Sequence, residues 1–210
     1  MSPDDDTARW DAWNAASAPQ YPHEKAIQFL LRRFAPAERA GKVVFEPGCG
    51  TGRNLEFLAR EGFVPVGRDI SPVAVEGARA RLAPWLADPD VAVAGLAEPA
   101  VAPDSCDALI CIGVLDAAGP AHLGPAIDAA LRVLRPGAPG LFLFASDADF
   151  RVRGNNPLGL HGYTEADVAA AFGAAGARLD RLCLDRYITT YDNRSHAQNE
   201  HLITFGKAAG

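Results

Sequence analysis

The sequence predicts an α/β fold: a doubly wound, mostly parallel seven-stranded sheet with an antiparallel C-terminal hairpin, helices on both faces and an N-terminal helical lid. Three observations predict it. From residue 43 onward short apolar runs alternate with helix-like segments, the pattern of parallel strands joined by crossover helices. Residues 108–112, Ala-Leu-Ile-Cys-Ile, are an unbroken apolar run of the kind found in strands buried on both faces. The last two strand-like segments, 179–184 and 201–205, follow each other with no helix between them, so they pair antiparallel.

The first twenty residues are polar and punctuated by proline, and the spacing of Trp10 and Trp13 puts both indoles on one face of a short helix. Pro22 opens a helix carrying Ala26, Ile27, Leu30, Leu31 and Phe34, with Pro36 beyond its end. Residues 43–45 form the first strand, and the helix after it sets Leu55, Leu58 and Ala59 on one face and stops at Gly62. The unit then repeats. Residues 63–66 lead to Asp69, and Ser71-Pro72 supply the N-cap and first-turn proline of a helix that runs to Leu82. Strands at 91–93, 108–112 and 141–144 follow, with a helix over 123–134 before the last of them. Thr164 caps a helix through Phe172, with Asp167 at the capping-box position. Pro65 opposes the scheme, because it falls in a strand that should be internal and cannot donate a ladder hydrogen bond.

A length of 210 residues fits one domain. It reads as an N-terminal cap over 1–40, a ligand-binding core over 41–145, and a substrate-side loop, helix and hairpin over 146–210. The N-terminus Met1-Ser2-Pro3-Asp4-Asp5-Asp6 lacks the basic-then-apolar order of a secretory signal, which places the protein in the cytoplasm. No apolar stretch is long enough for a bilayer, so no membrane partner is expected. A net charge of −6 argues against a nucleic-acid partner, whose affinity comes from Lys and Arg neutralising phosphates. Cys49, Cys106, Cys111 and Cys183 form no CxxC pair and stand at no metal-ligand spacing, so they read as reduced thiols and no metal site is expected. Only Lys25, Lys42 and Lys207 among the 20 basic residues are lysines, a bias associated with GC-rich bacterial genomes.

Glu46-Pro47-Gly48-Cys49-Gly50-Thr51-Gly52 sets glycine at every second position between a strand and a helix. Residues without Cβ there let backbone groups approach a ligand. A dinucleotide site would want glycine at position 53, where this chain has Arg53. Asp69, at the end of the second strand, is placed to accept hydrogen bonds from both hydroxyls of a ribose, a contact shared by several nucleoside ligands.

Across nearly its full length the chain resembles the class I S-adenosylmethionine-dependent methyltransferases, in the phrases FEPGCGTGRNL, VGRDISPVAVEGARARL, DSCDALICIGVLD and ALRVLRPGAPGLFLF. The resemblance implies S-adenosylmethionine as cofactor, with Gly48, Gly50 and Gly52 along its methionine part, Asp69 on its ribose and Ile70 against its adenine. It brings Tyr21, Glu46, Cys49 and Asn54 into the same surroundings, and Ile112 to the floor near the sulfonium. Where family members often carry a Gly-Asp-Ala phrase this chain has Gly95-Leu96-Ala97, so apolar contact from Leu96 and backbone groups up to Ala97 replace a carboxylate on the adenine. Where a Glu-His pair is common, Asp116-Ala117 stands instead. The stretch 21–24 and the tail with Tyr191 and His201 resemble a branch that acts on small molecules.

Methyl transfer from a sulfonium is an in-line displacement, in which the protein chiefly holds the reactants collinear. Where the acceptor must lose a proton, a side chain takes it. His161, Asp116 and Tyr191 are the candidates, with His23 and Tyr163 behind them; His161 ends a long loop over 146–162. Arg151 and Arg153 in that loop are candidate holders of an anionic group, or simply solvated. The expected activity is methylation of an O or N atom of a small molecule, in natural-product biosynthesis, by a monomer or homodimer. Two alternatives stay open: a cofactor-binding module without transferase activity, and an NAD-type oxidoreductase.

Overall fold

The structure is a computed structural model that describes residues 3–17, 19–191 and 196–209, with only the backbone for 3–5 and 191. In chain order the elements are α1 (Pro3–Ser17), α2 (Glu24–Leu31), β1 (Val43–Pro47), α3 (Arg53–Arg60), β2 (Val64–Asp69), α4 (Pro72–Leu82), β3 (Asp90–Val93), β4 (Ala108–Ile112), α5 (Leu115–Ala118), α6 (Leu123–Val133), β5 (Pro139–Ala145), α7 (Phe150–Arg153), α8 (Glu165–Ala174), β6 (Leu179–Tyr191) and β7 (His196–Lys207). The strand order is β3-β2-β1-β4-β5-β7-β6. β1 runs parallel to β2 and β4, and β2 to β3, while β7 runs antiparallel to both β5 and β6. The expected α/β sheet with an antiparallel C-terminal hairpin is the one observed. The chain packs as two compact units, 1–101 with 105–110 and 102–104 with 111–210.

In the first unit Pro65 sits in an internal strand without cost to the ladder. The Val64 N–H points to β1, where it donates to the Lys42 carbonyl at 2.8 Å. Alternation along a strand then turns residue 65 toward β3. β3 pairs with β2 only from Val66 onward, so at Pro65 that side is an edge, where a missing donor is tolerated. Val44, Phe45, Leu55, Leu58, Leu82 and Leu109 are fully buried and form the core of this unit. Gly67 admits α3 to close range: a Cβ there would stand 2.5 Å from Leu55 Cδ1 and 3.0 Å from Cys49 Sγ.

Local signals set several boundaries. The Ser71 side chain accepts from Ala74 N at the start of α4, and Thr164 and Asp167 form a reciprocal capping box on α8. α2 begins two residues later than Pro22 implies, because His23 Nδ1 accepts from Lys25 N and makes His23 the cap. It ends at Leu31, so Phe34 lies beyond it. α1 is longer than the short helix expected, and its Trp10 and Trp13 do meet, edge to face at 5.9 Å. In the second unit β6 and β7 extend well past the expected 179–184 and 201–205, pairing from Leu179 with Lys207 to Tyr191 with His196. Phe142 stacks on Phe205 at 5.6 Å and meets Phe172 edge-on in the core of this unit.

Candidate active site

In the first unit the glycine turn consumes its own donors. The Gly48 and Cys49 N–H groups both donate to the Arg68 carbonyl, at 2.6 and 3.0 Å. Gly50 N–H donates to Asp69 Oδ2 at 2.8 Å, and Gly52 N–H to the Cys49 carbonyl at 3.1 Å. A phosphate cradle needs such N–H groups aimed outward. These four are turned inward. Gly52, the residue before α3, has φ +79°, and a Cβ on it would stand 2.9 Å from Ala78 Cβ, so its bareness serves the approach of α4. The Cys49 side chain packs inward against Gly67 and burial pushes its thiol up, so it offers a ligand its backbone only.

What the turn does present is acceptors. Glu46 Oε1 accepts from Asn54 Nδ2 at 2.6 Å, and Asn54 Oδ1 accepts from His23 N at 2.8 Å, which ties β1, α3 and the entry to α2. Glu46 Oε2 is buried with no partner among the described residues. Burial pushes this carboxyl up to about 8, against the Asn54 hydrogen bond and the Arg53 guanidinium, with Asp69 adding to the rise. Asp69 takes one backbone N–H on each oxygen, Gly50 on Oδ2 and Ser71 on Oδ1 at 3.0 Å, which leaves each oxygen a further lone pair. Burial raises its carboxyl too, while the Ser71, Gly50 and Ile70 N–H groups pull it down.

Two residues on α1 escaped the sequence reading. Asp11 Oδ1 accepts from Ser71 Oγ and from Val73 N at 3.3 Å, latching α1 onto the start of α4. Asn14 donates from Nδ2 to the Trp10 carbonyl at 2.9 Å, while its buried Oδ1 has no partner among the described residues and lies 3.6 Å from where a Gly50 Cβ would be. Their three-residue spacing was a signal that they share a helical face. The remaining cofactor candidates of this unit are Tyr21, Ile70, Leu96 and Ala97. Tyr21 is 82% exposed, with its carbonyl 3.4 Å from Arg53 Nη1. Ile70 and Leu96 are half-buried and Ala97 is exposed, in loops joined by the Ala94 N–H to Asp69 carbonyl bond of 2.9 Å.

The second unit holds the catalytic candidates other than His23, and Ile112, which is half-buried at the end of β4. Asp116, on α5, is 1% exposed; its Oδ2 accepts from Ala145 N at 3.3 Å and its Oδ1 has no partner among the described residues. Burial pushes its carboxyl up to about 6, with the Arg151 guanidinium opposing and Glu200 assisting. The loop expected to carry His161 does meet this residue, through His161 N–H donating to the Asp116 carbonyl at 2.7 Å. The His161 ring stands edge-on to Tyr163 at 4.6 Å. Tyr163 is buried and donates its hydroxyl to the Leu115 carbonyl at 3.0 Å, and burial raises its phenol, so it is a packing group. His201 Nε2 donates to the Tyr163 carbonyl at 2.8 Å, and burial lowers its imidazole. His23 is the α2 cap described above. The Tyr191 side chain lies outside the described residues.

Arg151 is neither solvated nor free for an anion: it lies 2.9 Å from both Asp149 Oδ1 and Glu200 Oε1, and those carboxylates raise its guanidinium. Arg153 donates to the Asp147 carbonyl at 2.7 Å in an exposed position. Within the loop the Asn156 side chain both donates to and accepts from the Leu160 backbone. A cavity of about 460 Å³ opens beside it, between Phe150, Arg153, Gly154 and His196.

Residues 44–137 match the family model of a methyltransferase domain. No curated protein matches the chain in sequence. Among solved structures, one from work on the conversion of a disulfide bond into a thioacetal group during echinomycin biosynthesis is similar over all of this chain and 94% of that one, at 18% identity and a TM-score of 0.71. Magnesium protoporphyrin IX methyltransferase from Synechocystis, with bound S-adenosylmethionine, covers 88% of this chain and 79% of its own at 19% identity and a TM-score of 0.65. A phosphoethanolamine N-methyltransferase from Haemonchus contortus covers 97% of this chain and 58% of its own at 13% identity and a TM-score of 0.72. Residues 44–137 thus carry a methyltransferase domain, and the strand order and glycine turn around it resemble those of the class I methyltransferases, enzymes that use S-adenosylmethionine.

Proposed function

We propose that the enzyme methylates an O or N atom of a small molecule, as a monomer or homodimer in the cytoplasm and in a natural-product pathway. The observation that carries the small-molecule reading is Asp116: a carboxylate oxygen, fully buried and without a donor among the described residues, suits a small polar group rather than a macromolecular surface. The net charge of −6 supports it against nucleic acid. So do the solved relatives, whose names refer to echinomycin, a magnesium porphyrin and phosphoethanolamine. Among the described residues no helix is long and apolar enough to cross a membrane.

The residues present fit the methyl donor. Glu46 Oε2 and Asn14 Oδ1 are buried acceptors without donors, suited to the ammonium of the methionine part. Asp69 keeps a lone pair on each oxygen for the two ribose hydroxyls, and Ile70 and Leu96 offer apolar surface to the adenine. The inward N–H groups of the turn disfavour a pyrophosphate, and with it the NAD-type alternative. When bound, the donor supplies an electrophilic methyl on sulfur. Asp116 holds the acceptor's proton at Oδ1, and the His161 backbone fixes the strand exit beside it.

Incubation with donor labelled in its methyl group and a small-molecule extract of the source organism tests this. Label is expected in the small-molecule fraction, with Asp116→Asn slowing turnover about 10²-fold as expected for a lost general base. Label confined to protein or nucleic acid would contradict the reading. His161→Gln is expected to preserve donor binding; unchanged turnover would remove its ring from the chemistry.

A further inference from the structure

The second unit buries more negative charge than it neutralises. Asp149 is fully used: Oδ1 accepts from Arg151 N and Nε, and Oδ2 from Asn199 N at 2.7 Å and Arg151 Nη2 at 3.0 Å. Glu200 Oε1 accepts from Arg151 Nη2 and Gln198 Nε2, both at 2.9 Å. Glu200 Oε2 and Asp116 Oδ1, in side chains 2% and 1% exposed, have no partner among the described residues. Ala145 joins the two: its N–H donates to Asp116, and it stands opposite Glu200 in the β5–β7 pairing. Three carboxylates thus share one guanidinium. Arg186, the next basic group along β6, is turned to Asn199 Oδ1 at 3.2 Å and Glu165 Oε1 at 3.4 Å.

Buried carboxylate oxygens without donors are costly, so the missing partner is part of the working state. A neutral hydroxyl has one proton and satisfies one of the two oxygens. Among the described residues no group of three or more His, Cys, Asp or Glu side chains is arranged to hold a metal ion. An alkylammonium brings several N–H donors and one positive charge, which matches both oxygens and the excess charge together. We propose that the methyl acceptor is a molecule carrying a primary or secondary amine, and that Asp116 Oδ1 and Glu200 Oε2 hold its ammonium, one proton of which would pass to Asp116 Oδ1 and free the nitrogen lone pair to take the methyl group. The inference rests on the small-molecule reading above and narrows it to amines.

The labelled products of the extract experiment, passed over a strong cation exchanger at about pH 2, where carboxylic acids are uncharged and amines are cationic, decide it. The expected result is a retained, cationic labelled product. With that product's unlabelled precursor, Glu200→Gln is expected to raise KM at least about tenfold, as for a lost hydrogen bond to a charged group, while kcat and the affinity for S-adenosylhomocysteine stay near wild type. A merely structural Glu200 would lower thermal stability and cofactor affinity without this split. A neutral or anionic labelled product overturns the amine assignment and leaves small-molecule methylation standing. Label found only in macromolecules, or nowhere, overturns both. The product-charge result needs no variant, so a misfolded Glu200→Gln chain does not blunt it.

Discussion

Glu46 and Asp116 are both buried carboxylates with one oxygen bonded and one bare, yet they are held in different ways. Glu46 is fixed by its immediate neighbourhood: it lies one residue before the end of β1, and its partner Asn54 lies eight residues on, in the first turn of α3. Asp116 is fixed from afar, by Ala145 on β5 and by a cluster that draws on residues 149, 151 and 200. Burial lifts the first to about 8 and the second to about 6, each against a nearby guanidinium, Arg53 for Glu46 and Arg151 for Asp116. A local turn therefore makes a site that leans on backbone geometry, while a long-range cluster makes one that leans on charge.

The largest expected effect strikes the backbone-dependent site. Gly52→Val places a side chain at φ +79° and against Ala78, for about 1–3 kcal/mol of backbone strain and a similar overpacking cost. Thermal melts should fall sharply and S-adenosylhomocysteine binding should vanish; an unperturbed variant would break the claim that bare backbone builds this site. Next comes Asp69→Asn, expected to weaken cofactor binding about 10- to 100-fold, the range of a lost hydrogen bond to a charged group. Titration calorimetry reads it.

A smaller effect separates the two carboxylates by pH. Glu46 has its folded value raised from 4.5, so its contribution to the stability of the ligand-free chain is complete below about pH 4.5 and is lost as pH rises to about 8. Glu46→Gln should flatten that slope in pH-dependent melts. Asp116→Asn should flatten a narrower one, from 3.8 to about 6. Equal windows for the two variants would erase the distinction drawn here. The smallest effect is at Tyr21, whose exposed ring should tolerate alanine within about 0.5 kcal/mol in melts of the ligand-free chain.

The same contrast explains what the sequence disclosed. The alternation of strands and helices, the Ser71 and Thr164 caps, the stop at Gly62 and the grouping of Glu46, Gly50 and Asp69 follow from short-range patterns and were legible. Glu200 was not, because its role arises from the β5–β7 register, which no local pattern announces. The hairpin's length was hidden by the polar run over 192–200, which breaks the apolar signal. Asp11 and Asn14 were in view on a helix read only for its tryptophans. Arg151 read as a loop cation because its two acidic partners flank it from different elements.

Titration calorimetry of S-adenosylhomocysteine at pH 7, repeated in two buffers of different ionisation enthalpy, tests the central claim most directly. An ammonium placed against Glu46 should drive off the proton that burial keeps there, so binding should release a proton from the wild type and none from Glu46→Gln. Binding of NAD in its place, or no uptake of the nucleoside at all, would contradict the account.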